Sequence, residues 1–80
     1  MTFLGTWREQ QGFTLKQAGE HFGFGGRNPA RTYQRIESGE TAADAITAER
    51  VVRLTGGVVT VQDLHETRLA WLRARGRSAE

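Results

Sequence analysis

The chain reads as an all-α bundle of five helices. Two kinds of signal predict this. Helix-start residues recur at Thr2, Thr14, Asn28-Pro29, Thr47 and Thr60, each ahead of apolar residues at helical spacing. Glycines then stand where those helices would stop, at Gly12, Gly23, Gly39 and Gly56-Gly57. Val58-Val59 is too short to found a sheet. At 80 residues the chain is one domain, over residues 1–75, with a tail over 76–80 expected to fray.

The first helix is capped by Thr2, turns Phe3, Leu4 and Trp7 to the core, and ends at Gly12. The second is signalled more strongly. Thr14 and Gln17 stand at capping-box spacing, and Phe13 and Ala18 at the staple positions. Leu15, Ala18 and Phe22 form its inward stripe. Gly19 in mid-helix costs about 0.5–1 kcal/mol relative to alanine, which is reasonable if another helix crosses closely there.

Gly23-Phe24-Gly25-Gly26 breaks the second helix, with Phe24 turned inward. The third starts at Pro29 after an Asn28 cap and runs to about Ser38, with Gly39 as its stop. Ala30, Tyr33 and Ile36 face inward, leaving Arg27, Asn28, Arg31, Gln34 and Arg35 outside. Residues 40–46 form a loop. The fourth helix is capped by Thr47, with Ile46 and Val51 as its staple and Val51, Val52 and Leu54 as its apolar face. The last begins at Thr60, with Asp63 at the acid position and Val59 and Leu64 as staple. It runs from Val61 to about Arg75 and carries Leu64, Leu69, Trp71 and Leu72.

The net charge is only +2 while the pI is about 9.9. Ten of the eleven basic residues are arginine, whose fork suits phosphates and guanine edges better than lysine does. Acidic residues are interspersed, so placement rather than bulk charge must carry any nucleic-acid reading. The segment Thr14–Gly39 supplies it. Helix, glycine turn, then a second helix with basic and amide side chains at its open start is the outline of a helix-turn-helix.

Three stretches, taken in order, resemble one family: Gly12–Phe24, Ala30–Gly39 and Leu54–Leu64. They are similar to the Cro and lambda-repressor type of helix-turn-helix regulator, in its small phage-like or bacterial subset. Matching positions include the Thr14 cap, small Gly19, Phe22, Gly23, Phe24 and the Arg35–Gly39 run that closes the recognition helix. The resemblance spans residues 7–72. It implies a compact lambda-repressor-like bundle that binds double-stranded DNA and regulates transcription in a bacterial or phage-encoded, cytoplasmic setting. The chain departs from the family at two places. Gly25–Asn28 lengthens the turn by about four residues, and Leu15 replaces a frequent glutamine after the second cap.

On this reading the third helix lies in the major groove. Arg31 is the leading base contact, since a guanidinium grips guanine O6 and N7. Gln34 pairs with adenine or bridges to phosphate. Asn28 is either a base contact or a cap. Lys16, Arg27 and Arg35 are assigned to phosphates, with Arg35 alternatively paired to Glu37 or Glu40. Amides at the starts of the second and third helices add phosphate donors. Because one such unit makes few contacts, a homodimer on sites about 34 Å apart is expected, through Leu69, Trp71 and Leu72 of the last helix. Alternatively, Trp71 and those leucines close the monomer's own core.

Other chemistry lacks its residues. There is no cysteine, hence no disulfide or thiolate metal site. That suits a reducing cytoplasm. No apolar run spans a bilayer, and the start lacks a signal-peptide pattern. His21 and His65 lack zinc spacing, Gly25-Gly26 lacks the P-loop ending, and Ser38 and Ser78 have no evident base. The chain is therefore not expected to be an enzyme, and no cofactor, metal, membrane or small-molecule ligand is expected. The competing class is a helical protein-interaction module, of antitoxin or anti-repressor type, that does not read bases. An enzyme's accessory domain is more distant.

Overall fold

Most helices begin where a side-chain oxygen takes over an orphaned backbone amide. A computed structural model describes residues 2–79, with side chains through Arg75. Its elements are α1 (Phe3–Gln11), α2 (Leu15–His21), α3 (Pro29–Ser38), α4 (Ala45–Leu54) and α5 (Val61–Ala79). No strand occurs among the described residues, so the all-α, five-helix architecture holds. Thr2 Oγ1 accepts from the Gly5 amide at 3.1 Å. Thr14 and Gln17 close a reciprocal capping box at 3.1 and 2.9 Å. Thr60 and Asp63 close another at 3.1 and 3.0 Å. Asn28 Oδ1 accepts from the Arg31 amide at 3.1 Å, with Pro29 as the first residue of α3.

Five expectations are corrected. Asp44, not Thr47, caps α4: its Oδ1 accepts from the Thr47 amide at 2.7 Å. Aspartate outranks threonine as a cap, and starting three residues earlier hands Thr47 the role of donor. The positions flanking the true cap are Ala43 and Ala48, both covered, so Ile46 is no staple and stands 70% exposed. Phe3 is 49% exposed rather than core, because it lies in the first turn of α1 at the edge of the bundle. Leu54, the last residue of α4, is also exposed. The body of α5 runs past Arg75 to Ala79. The side chains of the expected frayed tail, and all of Glu80, lie outside the described residues.

The core joins Leu4 and Trp7 of α1, Ala18 of α2, Tyr33 and Ile36 of α3, Val51 of α4, and Phe22 and Val59 from the connections. Phe13, Leu15, Phe24, Ala43 and Leu64 pack against it. An aromatic line crosses its centre. Trp7 and Phe22 rings lie 5.5 Å apart, and Phe22 stacks on Tyr33 at 5.8 Å with planes 3° from parallel. Full burial of each such ring contributes about 1.5–3 kcal/mol.

Three arginines hold this bundle together rather than facing solvent. Arg8 of α1 donates from Nε to Glu37 of α3 at 2.7 Å, and from a terminal nitrogen to the Phe13 carbonyl at 2.9 Å. Arg50 of α4 donates to the Phe22 carbonyl, at the end of α2, at 3.1 Å. Arg68 of α5 donates to the carbonyls of Gly39 and Glu40, just past α3, at 2.9 and 2.6 Å. The last two place a cation at a helix C-terminus, where the backbone dipole favours it. Among the described residues, no helix is long and apolar enough to cross a membrane.

Candidate nucleic-acid interface

The start of α3 is set by a glycine in α2. A Cβ built on Gly19 would lie 2.5 Å from the Pro29 carbonyl oxygen and 3.1 Å from Pro29 Cβ. The first turn of α3 therefore rests on α2 backbone to backbone, the close crossing expected at Gly19. Past His21 the chain reverses through two bonds. The Gly23 amide donates to the Glu20 carbonyl at 3.1 Å and the Phe24 amide to the Gly19 carbonyl at 3.0 Å. Gly23 sits at φ 75°, the left-handed conformation this reversal needs. Phe24, half-buried, packs its ring 6.3 Å from that of Tyr33.

The turn over Gly25–Asn28 does not separate the two helices. Gly25, Gly26, Arg27 and Asn28 are all exposed, and a Cβ on either glycine would meet nothing within 4 Å. These four residues bulge into solvent while Pro29 still returns to Gly19.

On α3, Tyr33 and Ile36 are buried and Pro29 and Ala30 half-buried. Arg27, Asn28, Arg31, Gln34 and Arg35 are exposed, as read from the sequence. Helical spacing puts Arg31 and Arg35 one turn apart, opposite Tyr33, with Asn28 beside them and Gln34 on one flank. Thr32, which the sequence reading passed over, occupies the other flank. It is exposed, and its hydroxyl donates to the Asn28 carbonyl at 3.3 Å. Its signal was only its place between Arg31 and the buried Tyr33.

Several side chains in this region are already engaged. Asn28 is the cap, so its oxygen is taken and its amide NH2 is what remains to donate outward. Glu37 serves Arg8 and also accepts from the Tyr33 hydroxyl at 2.9 Å, so it is not the partner of Arg35. Lys16 on α2 is 75% exposed at its side chain, with Nζ 4.0 Å from Glu20. The caps Thr14 and Asn28 occupy the Gln17 and Arg31 amides, and Pro29 has none. This leaves the amides of Leu15, Lys16 and Ala30 pointing out of the two helix starts.

The residues assigned to a dimer face divide. Leu69 and Trp71 are half-buried but stand apart from the core cluster, and Leu72 is 42% exposed. Trp71 is held within its own helix, with the Arg68 and Arg75 guanidinium carbons 5.5 and 5.3 Å from its ring centroid. Together with Phe3, Thr67 and Ala70 it lines a cleft of about 450 Å³.

The histidines sit elsewhere. The His21 ring lies 5.2–5.9 Å from those of Phe22, Phe13 and Trp7, and His65 is exposed. Among the described residues, no group of three His, Cys, Asp or Glu side chains converges as a metal site. No family model, curated protein or solved structure matches the chain.

Proposed function

We propose that the chain is a sequence-specific double-stranded DNA-binding regulator of transcription, a repressor or an activator, that inserts α3 into the major groove. The observation that carries this reading is the outer side of α3. Arg31 and Arg35 stand one turn apart and uncovered, and the helix below them is clamped to α2 at Gly19 and to α1 at Glu37. A rigid rod with an open guanidinium face is what groove readout requires. The resemblance to Cro and lambda-repressor regulators supports the same reading.

Each residue then has a role. Arg31 grips guanine O6 and N7, and Gln34 reads adenine or bridges to phosphate. Asn28 contributes only through its amide NH2. Lys16, Arg27 and Arg35 neutralise phosphates, aided by the open amides of α2. Two copies bind a two-fold site, with α5 as the joining element.

Selection from random duplexes followed by sequencing tests this. Enrichment of a motif, palindromic if two copies bind, is the expected result. Affinity for that motif should fall steeply with salt, with a log–log slope of about −0.9 per phosphate contact. No enriched motif and no salt dependence would sink the proposal. The second reading, a protein-interaction module that ignores bases, draws on α4. There Ile46 stands exposed, and a groove of about 410 Å³ is lined by Ala45, Ala48, Val52 and Val61 together with Glu49 and Arg53.

A further inference from the structure

We infer that the groove between α4 and the start of α5 holds an amphipathic helix of another protein. Two bulky apolar side chains of that helix fill the groove, and a cation and an anion one turn apart on it meet Glu49 and Arg53. The inference rests on the second reading for its surface and gives that surface a partner of stated chemistry. It uses no residue assigned to DNA, so DNA and this partner do not compete for side chains.

The groove is built on one side of α4. At helical spacing Ala45, Ala48 and Val52 make its floor and Glu49 and Arg53 its rim, with Ile46 at the end of that rim. Val61, the first residue of α5, makes the facing wall. The space is about 410 Å³. A smaller hollow of about 180 Å³ adjoins it toward Leu64 and His65, and the two share Ala48 and Val61. Ile46 and Val61 are both well exposed, so apolar surface stands uncovered on each side. Within the monomer α4 packs against α5, which leaves this outer side bare.

The rim charges identify the occupant. Glu49 and Arg53 stand four positions apart, in the order that favours an ion pair along a helix. They do not pair, and neither side chain has a hydrogen-bond or ion-pair partner among the described residues. Two unmatched charges of opposite sign beside an apolar groove suit a helix that carries their complements one turn apart. Two adjoining hollows of unequal size suit two apolar anchors on one side of that helix, the bulkier in the larger. A helix also satisfies its own backbone, which an extended segment laid on two helices would not. A second copy of this chain is the poorer occupant. Presenting the same side, it would set alanines over alanines and leave the hollows unfilled, against the close packing of interface cores. The anchors supply the attraction, and the rim charges set direction and register.

The test is selection of helical peptides from a displayed library on the full chain, followed by titration of one selected synthetic peptide. Selected peptides should carry two bulky apolar residues three or four positions apart, with a Lys or Arg and an Asp or Glu one turn apart beside them. The double variant Ala45→Glu, Val61→Glu puts carboxylates into the groove at first-turn positions, where helices favour them, and should keep the wild-type far-UV circular dichroism spectrum. It should weaken the peptide by about tenfold or more. Glu49→Arg should weaken it by about threefold, and changing the facing cation of the peptide to Glu should restore the affinity. If the double variant loses its helical spectrum, this charge exchange alone decides. A peptide that binds the double variant as tightly as wild type would overturn the inference and leave the second reading to some other surface. So would a selection that yields no amphipathic helix, or a Glu49→Arg loss that the reversed peptide does not recover. A wild-type dimer that the double variant takes apart would also overturn it, because a second copy then covers the groove. Arg31→Ala, which would lose DNA, should bind the peptide as wild type does, so failure of the DNA reading is seen separately.

Discussion

Arg8 Nε donates to Glu37 Oε1 at 2.7 Å across 29 positions of the chain, and so ties the first helix to the one that carries the candidate interface. The Tyr33 hydroxyl donates to the same oxygen at 2.9 Å. Accepting from Arg8, Glu37 raises the guanidinium pKa further above its ordinary range. Burial, reinforced by the Glu37 charge, pushes the Tyr33 phenol well above its usual value. Arg8 therefore stays charged and Tyr33 neutral at any physiological pH. Glu37→Ala should destabilise the fold by about 2–3 kcal/mol in urea titrations, since it strands a largely covered guanidinium and a buried hydroxyl. Arg8→Ala should cost a similar amount, and the double variant clearly less than the two added together. Full additivity would mean the pair is not coupled.

Gly19→Ala should also destabilise, by about 1–3 kcal/mol, because the new methyl has no room against the Pro29 carbonyl. This sign is diagnostic. In an open helix the same change would stabilise by about 0.5–1 kcal/mol. Gly25→Ala, with empty space around its Cβ, should stay within about 0.5 kcal/mol of wild type. Thermal melts of the two variants side by side check both.

The Asp44 cap predicts a pH dependence. Hydrogen bonds from the Thr47 amide and side chain hold its carboxyl below the ordinary 3.8. A carboxyl lowered on folding stabilises the fold above its unfolded pKa and loses that contribution as pH falls through the folded value. Asp44→Ala should therefore melt lower than wild type at neutral pH, and the gap should close in acid, below 3.8. A gap that persists there would mean that Asp44 does not act through its charge. Thr47→Val, which keeps the amide, should leave the cap in place.

On DNA, Arg31→Ala should cost about 1–3 kcal/mol on the selected motif and relax base preference at one position. An equal loss on every sequence would make Arg31 a phosphate contact. Asn28→Ala carries a separate cost of about 1 kcal/mol in helix stability through the lost cap, whereas Asn28→Asp keeps the cap. Asn28→Asp, which keeps the cap but loses the NH2 and adds a charge that phosphates repel, should bind the duplex more weakly than wild type, and unchanged affinity would leave the NH2 without a role on DNA.

What the sequence determined on its own is short-range. The Thr14–Gln17 and Thr60–Asp63 boxes, the Asn28-Pro29 start and the glycine stops at Gly12 and Gly39 each rest on residues within one turn, so their spacing is readable without a fold. The same locality made the outer side of α3 legible, because Tyr33 and Ile36 mark the opposite side. Tertiary structure decided what those signals leave open. It chose Asp44 over Thr47 and left Phe3 and Ile46 outside, since which of several apolar residues is covered depends on where a neighbouring helix ends. It also divided the arginines. Arg8, Arg50 and Arg68 look like Arg31 and Arg35 in composition, yet each binds an acceptor 28–29 positions away in the chain. A guanidinium becomes structural or free to meet a partner according to whether folding brings a carbonyl or carboxylate within hydrogen-bonding reach, and that is a property of the packed bundle alone.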